Sequence, residues 1–133
     1  MSDEARQWIR YARENLRVAE MCLDSGVLNP SLQNAQQAVE KALKAMSLLA
    51  GLPLKRTHSI QELRRDLQGR GIEVGLMDED CELLDSIYLP SKYPLGSALP
   101  DFEPDMALCR RCVKLARELA ATAEQRAGTT WST

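Results

Sequence analysis

The chain has 133 residues but only one histidine, seven scattered glycines and no long apolar run. Its longest uncharged apolar stretch spans residues 45–54 and is interrupted by Pro53, whereas a membrane-spanning helix needs about 20 apolar residues. A single histidine excludes both a di-iron bundle with paired Glu-x-x-His motifs and catalytic zinc on two or three histidines. The glycines match no phosphate-binding loop, dinucleotide fingerprint or nucleophile elbow. The sequence therefore predicts no cofactor, no metal site and no membrane span.

Positive charge is also scarce, since 17 basic and 19 acidic residues leave a net charge of −2. This balance excludes a protein that holds nucleic acid by bulk positive charge. From Asp3 onward, charged residues are interspersed with apolar ones, a pattern that signal peptides do not have. We therefore expect a cytoplasmic protein, and in that compartment its four cysteines should be free thiols. Cys109 and Cys112 have CxxC spacing, but at 100° per residue they share the apolar arc of a helix. We therefore predict core thiols rather than a metal or redox pair.

β-branched and aromatic residues are few, and the alternation of apolar with polar residues never lasts beyond a few positions. Both observations argue against β-strands. The sequence predicts an all-α, up-and-down antiparallel bundle with four long or medium helices and one short helix. We expect one domain over residues 1–127 and a frayed tail over 128–133. The predicted helices cover about 3–25, 30–50, 59–68, 78–90 and 105–126, with a proline-rich loop over 90–104.

The second helix carries an apolar stripe with 3,4,3,4,3 spacing, formed by Leu32, Ala35, Val39, Ala42, Met46 and Leu49. Such a stripe must be buried. The opposite face carries Gln33, Gln37, Glu40, Lys41 and Lys44. It is either a solvated surface with a Glu40–Lys44 pair or a binding surface. The apolar arcs of the first two helices are broad, which favours a homodimer.

His58 lies between the cations Lys55 and Arg56 and the predicted helix cap Ser59, which has capping-box spacing to Glu62. Two interpretations stay open. The ring is a polar loop residue bonded to a nearby backbone group or carboxylate, or it contacts a phosphate or base beside a helix N-terminus.

Four arginines form a second stripe on the first helix, opposite its apolar arc: Arg6, Arg10, Arg13 and Arg17. This ridge is either a solvated face or a surface that binds an RNA backbone or an acidic partner.

The block from Gln36 to Ala45, reading QQAVEKALKA, is followed by Gly51, by Thr57-His58-Ser59-Ile60, by Tyr88 and by Lys92-Tyr93-Pro94. This series resembles the HEPN family, named for "higher eukaryotes and prokaryotes nucleotide-binding". The resemblance covers about residues 5–125.

The resemblance implies a prokaryotic helical bundle, commonly homodimeric, paired with a minimal nucleotidyltransferase in a toxin–antitoxin or defence system. Nucleotide binding is proposed for the family. Carried onto this chain, the candidate ligand-binding residues are Gln37, Glu40, Lys41, Lys44, His58, Lys92 and Tyr93. Lys92 stands where the family usually has arginine, which weakens any two-pronged phosphate contact there.

Nuclease members of the family carry an arginine and a histidine separated by four to six residues. At that distance before His58 this chain has glycine, leucine and proline at 51–53, and it has no second histidine. Metal-independent cleavage of RNA needs a side chain, usually histidine, that removes the proton from the attacking 2′-hydroxyl. We therefore predict no catalytic residues and no ribonuclease activity. The alternatives are an interaction module without ligand, and an RNA-cleaving toxin that uses His58 and the arginine ridge.

Overall fold

The computed structural model describes residues 3–92 and 103–128, with side chains 89–92 left out of the description. These residues form five helices and no strand: α1 Asp3–Asp24, α2 Leu28–Leu49, α3 Ile60–Gln68, α4 Asp78–Lys92 and α5 Met106–Ala127. The predicted all-α bundle is confirmed. The predicted tail beyond Gly128 and most of the predicted proline-rich loop lie outside the described residues. Within the described ranges, no helix is long and apolar enough to span a membrane.

Helix α2 is the centre of the bundle because it packs against all four other helices. The first five stripe residues, from Leu32 to Met46, are at most 1% exposed, while Leu49 is half-buried. In total 13 of its 22 residues are buried, so the covered surface is wider than the predicted stripe. Ala38 and Ala42 are fully buried, and such small side chains let neighbouring helices approach closely.

Side-chain caps begin α3 and α5, whereas α2 begins at Leu28 after Val27, which makes no side-chain cap hydrogen bond. Ser59 Oγ accepts the Glu62 amide N–H at 3.1 Å, as the capping-box spacing predicted, and Asp105 Oδ1 accepts the Leu108 N–H at 2.8 Å. Helix α4 continues through Pro90 to Lys92, so the predicted stop at Pro90 is wrong. Proline removes one N–H donor from the ladder, and a helix tolerates this loss near its end.

The thiols of Cys81, Cys109 and Cys112 are fully buried, which confirms the prediction that the CxxC pair belongs to the core. Burial raises the pKa of Cys81 to about 11 and that of Cys112 to about 12, because a thiolate is poorly solvated there. Both thiols are therefore protonated at neutral pH.

Candidate functional site

The polar face of α2 is covered rather than solvated. Glu40 is 3% exposed and Lys44 is 6% exposed, so of the two interpretations left open for this face, a solvated surface does not hold at these two positions. Their i,i+4 ion pair is present, with 3.0 Å between Lys44 Nζ and Glu40 Oε2. The cover comes from elsewhere in the chain: Trp8 of α1 lies 5.4 Å from the Lys44 ammonium, and the loop before α3 places His58 against Glu40.

His58 is held by a carboxylate, as the first interpretation of this residue predicted. Its Nδ1 lies 3.2 and 3.3 Å from the two carboxylate oxygens of Glu40. The imidazole stacks on the Tyr88 ring with centroids 4.8 Å apart and planes 15° from parallel. An ionised Glu40 accepts a hydrogen from Nδ1, which leaves Nε2 as the acceptor nitrogen. The side chain stays 52% exposed, so Glu40 and Tyr88 orient an accessible ring.

The N-terminus of α3 already holds an anion from the protein itself. Asp85 of α4 accepts hydrogen bonds from the Ile60 N–H at 2.7 Å, the Gln61 N–H at 3.3 Å and the Ser59 hydroxyl at 3.2 Å. A carboxylate placed there satisfies the free amides of the first turn. Asp85 therefore occupies the position at this helix end where one of the two interpretations of His58 placed a phosphate.

Lys55, one of the two cations expected to help bind phosphate, is also paired with acids. Its Nζ lies 3.2 Å from Glu62 and 2.8 Å from Asp66. These hydrogen bonds, first to Asp66 and then to Glu62, raise the pKa of the Lys55 ammonium. The space next to His58 is a shallow depression of about 220 Å³, lined by His58, Ser59, Asp85 and Tyr88.

Lys41 lies on the other side of the α2 polar face, against α1. Its Nζ donates to Asn15 Oδ1 at 2.6 Å and lies 5.8 Å from the centre of the Tyr11 ring. Asn15 is fixed in turn by donating to Asn34 at 2.9 Å. Desolvation lowers the pKa of Lys41, and this effect outweighs the opposing attraction of Glu40 and Glu14. The result is a half-buried cation whose hydrogen-bond partner is neutral.

We call the residues on and against the polar face of α2 the polar strip: Trp8, Tyr11, Gln37, Glu40, Lys41, Lys44, His58 and Tyr88. Glu40 and Lys44 are buried, and the other members are half-buried or exposed. Five predicted site residues are members, and direct contacts join Lys44, Glu40 and His58. Gln37 is half-buried one turn before Lys41 and donates to Gln36 Oε1 at 3.2 Å. The Lys92 side chain and Tyr93, the other two predicted residues, lie outside the described part of the molecule.

Sequence reasoning missed the aromatic residues of α1 as site components. Trp8 and Tyr11 meet edge to face with centroids 6.4 Å apart. Their i,i+3 spacing was the available signal, since it places both rings on one side of a helix. Nothing local pointed to Asn15, because its role depends on contact with a residue 26 positions away.

The arginine ridge of α1 is only partly free. Arg13 Nε lies 2.6 Å from Glu124 of α5, and this ion pair ties the two helices together. Arg6, Arg10 and Arg17 are exposed. Three arginines thus remain for the predicted contact with RNA or an acidic partner. In the described ranges, no cluster of three or more histidine, cysteine, aspartate or glutamate side chains could hold a metal ion.

The model of the HEPN domain matches residues 5–126, and the chain belongs to the HEPN domain family. The crystal structure of TT1696 from Thermus thermophilus is similar, with 28% sequence identity, a TM-score of 0.64, and coverage of 94% of this chain and 99% of that one. The crystal structure of ST0689, an archaeal HEPN homologue, has the same fold at 24% identity, with a TM-score of 0.61 and the same coverage. No curated protein matches the chain.

Proposed function

We propose that this HEPN protein is a non-catalytic nucleotide-binding component that pairs with a minimal nucleotidyltransferase in a two-component system. The observation that supports nucleotide binding is the environment of Lys41. Its half-buried ammonium contacts a neutral amide and an aromatic face, and no carboxylate among the described residues hydrogen-bonds to it. A cation in these surroundings keeps its charge available for an incoming phosphate.

The stacked His58–Tyr88 pair gives a second contact, for the base. Aromatic faces stack on any base, and each such stack contributes about 1–3 kcal/mol. Phosphate is disfavoured at this end of the strip because the Asp85 carboxylate borders the depression. We therefore expect the base at His58 and the phosphate towards Lys41. The depression of about 220 Å³ is smaller than an enclosed ligand pocket, which favours weak binding, with Kd on the order of 0.1–1 mM.

Isothermal titration with ATP, GTP and AMP tests this proposal. Lys41→Ala should weaken nucleotide binding by about tenfold or more, the effect of losing one charge-assisted hydrogen bond. Lys114→Ala is the matched control, since Lys114 is an exposed lysine on α5. The absence of both heat and a melting-temperature shift at millimolar nucleotide would exclude nucleotide binding.

The proposed lack of catalysis is supported by the sequence before the single histidine. Glu40 orients His58, but the sequence places no arginine at the spacing that the nuclease members use. We expect bacteria that express soluble protein to grow normally. Growth arrest that His58→Ala relieves would instead establish an RNA-cleaving toxin.

A second candidate is an interaction module that binds only protein partners. It is favoured by the way Glu40, Lys44 and His58 satisfy one another inside the structure. The discriminating experiment measures affinity for a minimal nucleotidyltransferase before and after the Lys41→Ala and His58→Ala substitutions. Unchanged affinity with intact folding, and no nucleotide binding, supports this candidate.

We also propose a homodimer. In the described residues, Val18 and Met21 of α1 are 41% and 59% exposed, and such apolar exposure is consistent with a contact between copies. Light scattering after size exclusion measures the mass directly, and a monomer of 14.9 kDa at tens of micromolar protein contradicts the proposal.

A further inference from the structure

We infer that Lys41 is a modification site: the preferred position on this chain for N-acylation by an acyl phosphate. The inference depends on a comparison among the four lysines whose side chains are described, Lys41, Lys44, Lys55 and Lys114.

The environments of these lysines differ in ways that decide their reactivity. Lys44 is 6% exposed, covered by Trp8 and paired with Glu40 at 3.0 Å. Lys55 is exposed but bonded to two carboxylates, and Lys114 is exposed on the surface of α5. Only Lys41 in this set combines partial exposure with a neutral hydrogen-bond acceptor, Asn15.

This environment favours the nucleophilic form of the side chain. Acylation requires the neutral amine, and desolvation lowers the pKa of Lys41, so more of it is neutral at mildly alkaline pH than of an ordinary lysine. The neutral amine can keep one N–H on Asn15 while its lone pair is free. Lys44 also lowers the pKa of Lys41, although its own charge is paired with Glu40.

The chemical step balances without any further reactant. The Lys41 nitrogen attacks the carbonyl carbon of the acyl phosphate and a C–N bond forms. The C–O bond to phosphate breaks, and inorganic phosphate leaves with the bonding electrons. The proton released from the nitrogen passes to water, and the product is a neutral amide.

The consequence for the site rests on the proposed function. An acylated Lys41 has no positive charge, so it loses the cation–π contact with Tyr11 and the attraction for phosphate. Acylation would then switch off nucleotide binding while leaving the buried core untouched.

The experiment incubates the full chain with acetyl phosphate at pH 8 and follows each lysine by peptide mass spectrometry. Lys41 should be acetylated faster than Lys114, because its half-buried amine has a neutral hydrogen-bond acceptor and a pKa lowered by desolvation. Faster acetylation of Lys114 or Lys55 would overturn the inference.

Two variants test the cause with opposite signs. Asn15→Asp puts a carboxylate on the ammonium and should slow acetylation of Lys41 several-fold without affecting Lys114. Glu14→Gln removes a carboxylate that favours the ammonium and should accelerate it. Glu14 is exposed in the middle of α1, so this variant should fold even if Asn15→Asp does not. Unchanged rates at Lys41 in Glu14→Gln contradict the inference.

Nucleotide titration of Lys41-acetylated protein separates this inference from the proposed function. If unmodified protein binds nucleotide and acetylated protein does not, both hold. If unmodified protein binds no nucleotide, the proposed function fails, and the relative acetylation rates still decide whether Lys41 is the preferred site.

Discussion

Removing the charge of Glu40 should destabilise the protein far more than removing an exposed carboxylate. In Glu40→Gln the side chain keeps its shape, but the Lys44 ammonium, with 8% of its side chain exposed, loses its ion-pair partner. Breaking a buried pair by removing one partner costs about 3–5 kcal/mol, since an uncompensated charge remains in the interior. The amide oxygen still accepts a hydrogen bond, so we expect a loss at or just below the lower end of that range, about 2–3 kcal/mol.

Urea unfolding followed by circular dichroism measures this loss. The free energy of unfolding of a domain is typically about 5–15 kcal/mol, so the expected loss is a large share of it. The same loss should lower the melting temperature by about 8 °C. Glu62→Gln is the control, because the Glu62 carboxylate makes only exposed contacts, an ion pair with Lys55 and a hydrogen bond from the Thr57 hydroxyl, and it should change the midpoint far less. Glu40→Leu combined with Lys44→Met should recover most of the loss, as both charges are then absent. A Glu40→Gln midpoint equal to that of the unmodified protein would refute the reasoning.

Further predictions concern the α3 cap and the buried thiols. Asp85→Ala removes three hydrogen bonds at the N-terminus of α3 and should lower the free energy of unfolding, measured by urea titration, by about 2 kcal/mol. Asp85→Asn should lower it less. If Asp85→Ala is as stable as the unmodified protein, the assigned contact is contradicted. In native protein a thiol reagent should label Cys22, which is half-buried, and leave the three buried thiols until denaturant is added. Because the pKa values of Cys81 and Cys112 are raised in the folded protein, the unfolded chain binds fewer protons than the folded chain above about pH 9. The contribution of these thiols to the free energy of unfolding is therefore fully present below that pH and is lost as the pH rises towards 11 or 12. The lowered pKa of Lys41 acts in the opposite sense. Because burial raises the pKa of three thiols, Cys109 included, the urea midpoint should still drop as the pH rises above about 9, and it should drop less in Cys112→Ala.

The order and type of the helices follow from the sequence because apolar spacing and caps are local signals. The stripe from Leu32 to Met46 and the Ser59 cap are read within one helix or one turn, and both are present as predicted. Spacing shows which residues point the same way, but it does not show how many neighbours cover that face. The burial of Glu40 and Lys44 was therefore not predictable from α2 alone.

The candidate site depends on contacts between segments that are distant in the chain. Trp8 reaches Lys44 across 36 positions, and Asp85 reaches Ile60 across 25. Family resemblance selected Glu40, Lys44 and His58 as site residues, and they do meet in space. It did not show that Glu40 and Lys44 form an ion pair inside the bundle. Of the two lysines of the polar strip, only Lys41 is therefore left without an ion-pair partner among the described residues.

A nucleotide titration monitored by amide and side-chain NMR shifts would decide whether the polar strip binds its proposed ligand. With millimolar ATP we expect saturable shifts at Gln37, Lys41, His58 and Tyr88, and none at the remote Lys114 amide. Absent shifts, or saturable shifts confined to the arginine ridge of α1, would contradict nucleotide binding at this strip.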